Sequence, residues 1–99
     1  MYQIDIKDIT IKENSWIAAI ASKRLKQPQM AIALGNTIYL HNTTKQEFLQ
    51  NEKWVRHELK HVQQFRGHGY FVFILKYLWE SICNGYHNNK YEIEARNAE

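Results

Sequence analysis

His57-Glu58-Leu59-Lys60-His61 sets two imidazoles four residues apart, with a carboxylate directly after the first. On a helix, residues i and i+4 stand one above the other on the same face, so both rings can reach one metal ion. Glu58, about 100° further round the helix, borders the same pocket. The residue types suit hydrolysis. Zn2+ favours tetrahedral N, O and S ligands, and a catalytic site leaves one position for water, so a third protein ligand has to come from elsewhere. One Zn2+ per chain is the expected cofactor. Zinc acidifies water towards a pKa of about 7, and Glu58 is the expected general base that takes the proton as a carbonyl is attacked.

A bland alternative has His57 and His61 as ordinary helix residues. Placement argues against it, because His57, His61, Trp54 and Gln64 share a stripe distinct from the apolar Phe48, Val55, Leu59 and Val62 stripe. A metzincin pattern needs glycine three residues after the second histidine and another histidine three further on. Gln64 and Gly67 stand there instead, and His68 falls one residue late, although it could still line the site. Downstream, Tyr91-Glu92-Ile93-Glu94-Ala95-Arg96 offers carboxylates on a predicted helix, and Glu92 is taken as the third ligand. Glu94 and His87 remain alternatives to it. Tyr86, six residues before Glu92, could donate a hydrogen bond to a developing oxyanion. Its plainer reading is a packing group with a wet hydroxyl. His41 reads as a surface residue, and Trp54 and Trp79 read as core or pocket wall.

These residues need elements to hold them. Ile4 and Ile6, then Ile9 and Ile11, alternate in two phases, which predicts extended chain with a turn or bulge near Lys7-Asp8. Trp16, Ile17, Ile20, Ala21 and Leu25 recur with helical spacing after Ser15, a candidate N-cap, and the helix should end before Pro28. Two alternating runs, 30–34 and 37–41, flank Gly35-Asn36 and predict a type II′ hairpin with Met30, Ile32, Leu34, Ile38 and Leu40 facing the core. Thr44-Lys45-Gln46-Glu47 reads as a capping box opening one long helix to about Arg66, with Gly67 and Gly69 supplying the stop. Residues 70–83 read as a buried helix closed by Asn84-Gly85, and Asn88 or Asn89 can cap a short final helix. The class is α+β: a small N-terminal sheet with a hairpin and a helix, then the active-site helix, a second helix and a short glutamate helix.

Composition bounds the rest. With 99 residues, 44% of them hydrophobic and 13% aromatic, the chain has room for one packed domain, expected over residues 1–99. A lone cysteine, Cys83, cannot form an internal disulfide, and the start of the chain lacks a basic, apolar leader. Cytoplasmic localisation is the default expectation, with export by a non-classical route as the alternative. No apolar run reaches the roughly 20 residues of a membrane span. A net charge of +3 with one compact cluster, Lys23-Arg24-Leu25-Lys26, reads as a solvated surface, so no nucleic-acid partner is expected.

The run His57-Glu58-Leu59-Lys60-His61-Val62-Gln63-Gln64, with residues 33–40 before it and 88–95 after it, resembles the minigluzincins. It is also similar to the HExxH domains attached to bacterial toxins and extracellular contractile injection systems. The likeness covers about residue 30 to the end, roughly two-thirds of the chain. It implies a gluzincin-type zinc metallopeptidase of zincin-like fold, with a sheet edge that holds extended peptide substrate. Gluzincins place the ligand glutamate first in a Glu-x-x-Ala pattern, and Glu92-Ile93-Glu94-Ala95 ranks Glu92 above Glu94. Arg96 stands where many relatives have Asp, so a carboxylate supporting either histidine has to come from elsewhere, with Glu80 a weak candidate. Latent forms in the family have an adjoining segment over the cleft, a role open to residues 1–13. Two functions compete: a zinc endopeptidase acting on a peptide or protein substrate, and a zinc-stabilised docking module of a toxin or secretion-linked system that lacks turnover. A third expectation is membrane association through residues 70–79.

Overall fold

The hairpin sets the frame. In the computed structural model, which describes residues 5–99, β2 (Met30–Leu34) and β3 (Thr37–His41) pair antiparallel around Gly35-Asn36. Gly35 has φ 64° and Asn36 does not have a positive φ, the signature of a type II′ turn. A β-carbon at Gly35 would also press on the Tyr70 ring at 3.1 Å. Directly opposed residues share a face, and the register sets Ala33 against Ile38 and Ala31 against Leu40. Ile38 and Leu40 are fully buried, so Ala31 and Ala33 are the inward residues of β2. The expectation that Met30, Ile32 and Leu34 share the face of Ile38 and Leu40 is therefore corrected. A two-residue turn fixes the pairing, and pairing fixes the phase.

Residues 5–13 join this sheet. A 3-10 turn at Ile6–Asp8 falls where the alternation changes phase, and β1 (Thr10–Lys12) runs parallel to β3, giving the order β1-β3-β2. The strand reading of Ile4 lies outside the described residues. α1 (Trp16–Leu25) is capped by Ser15, whose hydroxyl accepts from the Ala18 N–H, and ends on Lys26 in a left-handed conformation, before Pro28. Its buried residues are Ala18 and Ser22. Trp16 and Ile20, expected on the packed stripe, face solvent.

The long helix predicted over 44–66 is two helices. Thr44 forms the capping box with Glu47 and opens α2 (Lys45–Gln50), and α3 (Glu52–His68) follows. Asn51 is the break: at φ −96° and ψ 89° it ends α2, while its Oδ1 accepts from the Trp54 N–H to start α3. α3 passes through Gly67 and stops at Gly69, whose φ of 86° with ψ of 150° suits glycine alone. α4 (Tyr70–Asn84) leaves at once, and α5 (Lys90–Asn97) closes the chain's helices.

The core has two parts. Ala31, Ala33, Ile38 and Leu40 of the hairpin meet Phe48 and Val62, with Trp54, Val55 and Leu59 packed alongside. Phe65, Phe73 and Tyr91 join α3, α4 and α5 in a second cluster, with ring centroids 4.7–4.9 Å apart in edge-on pairs. α4 is not the buried helix expected: Phe73 is its only fully buried side chain among the described residues, and Trp79, read as core or pocket wall, is 66% exposed. No helix among the described residues is long and apolar enough to cross a membrane.

Asn89 ties α5 to α4. It is fully buried, donates from Nδ2 to the Tyr77 carbonyl (3.1 Å) and Ser81 Oγ (2.9 Å), and accepts at Oδ1 from the Tyr91 N–H (2.9 Å). Asn89→Ala leaves these groups unanswered and should cost about 1–3 kcal/mol in urea unfolding. A loss under about 0.5 kcal/mol would show that the α4–α5 corner is held by packing alone.

Candidate metal centre

Three elements converge here. α3 presents His57 and His61 one turn apart, with ring centroids 5.0 Å apart and planes at 73°. α5 brings Glu92, buried to 4% exposure, between them: Oε1 lies 3.1 Å from His57 Nε2 and Oε2 lies 3.2 Å from His61 Nε2. One ligand atom from each of the three lies within 4.8 Å of the others, a His/His/Glu group able to hold a metal ion. Glu94 is turned away to accept from Gln64 Nε2 (3.0 Å), and His87 is an exposed residue whose carbonyl accepts from Arg96. The structure therefore sets Glu92, and neither Glu94 nor His87, beside the histidines.

The outer ring nitrogens are also occupied. His57 Nδ1 lies 2.6 Å from Glu99 Oε2, and His61 Nδ1 lies 2.9 Å from Gln64 Oε1. Gln64 Nε2 donates to the Tyr91 carbonyl and to Glu94, which fixes its oxygen as the end facing His61. Both histidines thus keep Nδ1–H bonded outward, leaving Nε2 to face Glu92. Tyr77, on α4, donates to Glu92 Oε2 and secures that carboxylate from a third side. Glu80, the carboxylate suggested for supporting the histidines, instead accepts from Asn84 and from the Lys90 N–H at the start of α5. Sequence reasoning missed Glu99 and Tyr77, whose partners lie 42 and 15 residues away.

A mainly apolar cleft of about 610 Å³ runs beside this group, between β2, α1 and α4, with His57, Glu58, His61, Tyr86 and Glu92 in its wall. Residues 5–13 do not line it, so the described part of the proposed covering segment belongs to the sheet and its approach. His68 lies outside as well, stacked on Phe73 beside Lys76, and Trp54 packs edge-on against Phe48.

Charge in the cleft is tightly managed. Burial would lower both histidine pKa values, but hydrogen bonds to Glu92 and the nearby Glu58 charge raise them, that of His61 to about 9. Burial resists the ionised form of Glu92 too, yet hydrogen bonds from His57 and His61 hold it below the usual carboxylate range. Glu58, 5% exposed, is pushed up to about 7 by burial, against the opposing pull of both histidines and a hydrogen bond from the Ala33 backbone. Burial, and then the Glu92 charge, raise the hydroxyls of Tyr77 and Tyr86.

The family model for the eCIS core domain matches residues 1–69. The chain belongs to that family. The matched stretch includes His57, Glu58 and His61, whereas Glu92 and Tyr86 lie beyond it. No curated protein and no solved structure matches the chain.

In the metal-free protein each histidine has an acceptor on both ring nitrogens, so a divalent ion taking Nε2 has to displace those protons. Metal titration near pH 7 should release about one to two protons, read as a calorimetric enthalpy that changes with the buffer's ionisation enthalpy. A buffer-independent enthalpy would count against the paired imidazoles as ligands. The stability of the metal-free protein should move the other way. The raised pKa of His61 contributes stability that is whole below 6.5 and lost through about 9, and that of Glu58 subtracts stability as pH rises from 4.5 to about 7. Its melting temperature should therefore fall as pH rises through this range; a rise would overturn the assignment. Glu99→Ala and Gln64→Ala should each weaken metal affinity about 10–100-fold.

Proposed function

We propose that this chain is a zinc-dependent peptidase module of an extracellular contractile injection system, with His57, His61 and Glu92 as metal ligands and Glu58 as general base. The observation that carries the reading is the division of labour in one cleft. Three side chains converge as a ligand set, and a fourth, Glu58, stands beside them outside it, held by the Ala33 backbone. Two imidazoles and one carboxylate are a donor set of catalytic zinc, and one ligand atom from each lies within 4.8 Å of the others.

Zinc bound there would supply the positive charge that acidifies water and polarises a carbonyl. The protein's own residues do the rest. Glu58, buried beside the ligand set, can accept a proton from the attacking water and return it to the leaving amine. Tyr86, in the same wall with its proton firmly held, is placed to donate to the developing oxyanion. β2 is one of the sheet's two edge strands, and the Ala33 N–H turns away from β3 towards Glu58, so an extended peptide laid along β2 would pass the base.

The family match favours a second reading, a docking module that keeps zinc without turnover, because it names an injection-system domain and no activity. One pair of variants separates the two. Glu58→Gln should keep one zinc per chain and lose peptide cleavage by about 10²–10⁴-fold. Glu92→Ala should lose at least about 100-fold in zinc affinity. Cleavage that survives Glu58→Gln would refute its role as base, and a zinc-loaded native chain that leaves a mixed peptide library intact would establish the docking module.

A further inference from the structure

Two helices keep large apolar side chains in solvent. On α4, Phe71, Leu75, Leu78, Trp79 and Ile82 are 53–77% exposed, and at 100° per residue they fall within an arc of about 100° that holds no charge. On α1, Trp16 and Ile20 are exposed and share their helical face with the exposed Lys23 and Arg24. The cleft joins the two faces. Arg24 from α1 and Leu78 from α4 both line it while remaining exposed, so the two faces border its mouth.

Along both helices the exposed charge has one sign, while the carboxylates of the cleft, Glu58 and Glu92, are buried. No acidic residue occurs between Glu13 and Glu47, or between Glu58 and Glu80, the stretches that hold α1 and nearly all of the exposed α4 arc. Glu80 is half-buried, with its carboxylate occupied by Asn84 and the Lys90 N–H. Lys23, Arg24, Lys26 and Lys76 are exposed there. A second copy packed face to face would oppose these cations with no carboxylate between them. Aromatic and aliphatic side chains edged by cations are instead the pattern of helices seated at an anionic bilayer surface. At 15 residues α4 is about 22 Å long, short of the roughly 30 Å hydrocarbon layer, so it would lie on a membrane and not cross it.

We infer that α1 and α4 together dock this chain on an anionic lipid surface, with the cleft mouth towards the headgroups. The inference is independent of turnover at the metal centre. It is tested by co-sedimentation of the full chain with vesicles of phosphatidylcholine alone or with about 30% phosphatidylserine. The chain should pellet with the anionic vesicles and stay in solution with the neutral ones. Lys23→Glu/Lys26→Glu, or about 0.5 M NaCl, should weaken partitioning by at least roughly tenfold. Leu75→Ser/Trp79→Ser should do the same at low salt, with circular dichroism and zinc content unchanged, since both side chains are already in solvent. Failure to pellet with anionic vesicles, or equal pelleting with both kinds, would overturn the proposal. So would a native dimer in analytical ultracentrifugation that Leu75→Ser/Trp79→Ser converts to monomer, which would assign the face to a second copy.

Discussion

A carboxylate buried between two imidazoles is the contact on which this structure turns. Glu92 would be costly to bury alone, and its place is tenable because each oxygen meets a ring nitrogen and one also accepts the Tyr77 hydroxyl. The requirement extends outward. His57 and His61 can present Nε2 to Glu92 because Glu99 and Gln64 hold their Nδ1 sides, and Gln64 is held in turn by the Tyr91 carbonyl and Glu94. α5 is thus joined to α3 by a polar network whose members satisfy one another, and no buried side-chain polar atom among the described residues lacks a partner.

Apolar packing decides where that network can form. Phe65, Phe73 and Tyr91 set the separation of α3, α4 and α5, and Asn89 fixes the corner at which α5 begins. On the other side, alanines at 31 and 33 give β2 an inward face thin enough for α3 to pack closely, bringing Glu58 within reach of the Ala33 N–H. Larger side chains there would push the helix from the strand, so the small inward residues and the bulky outward Met30, Ile32 and Leu34 serve different purposes. The former seat the helix and share the cleft wall with the latter.

Local physics makes much of this legible in the sequence. The hairpin, the Ser15 and Thr44 caps, the stop before Pro28 and the cap at Asn89 each depend on a few adjacent residues, and each is present. The face shared by His57 and His61 follows from their four-residue spacing alone. What could not be read depends on the other side of a contact. Asn51 suits both a helix surface and a cap, so the capping box at Thr44 did not reveal a second helix start seven residues later. The apolar composition of residues 70–83 suggested burial, yet the other four α-helices and three short strands offer α4 cover on one side only. Glu99 carries no local mark of its bond to His57, because nothing in its neighbours specifies a partner 42 residues away.

The protonation pattern and the ligand geometry express one electrostatic demand. Glu58 and Glu92 are both buried, the Glu99 carboxylate stands behind His57, and with neutral imidazoles that region would hold an excess of negative charge away from water. Without metal, the response is to hold protons: the histidine pKa values rise, that of His61 to about 9, and that of Glu58 to about 7. A divalent cation at the same Nε2 and carboxylate atoms meets that demand without protons. Replacing the shared protons by such an ion would return both imidazoles to the neutral form that binds metal and let Glu58 ionise beside it, the state a general base requires. The buried acids that make the metal-free protein hold protons at neutral pH would by the same charge favour a divalent cation at these atoms.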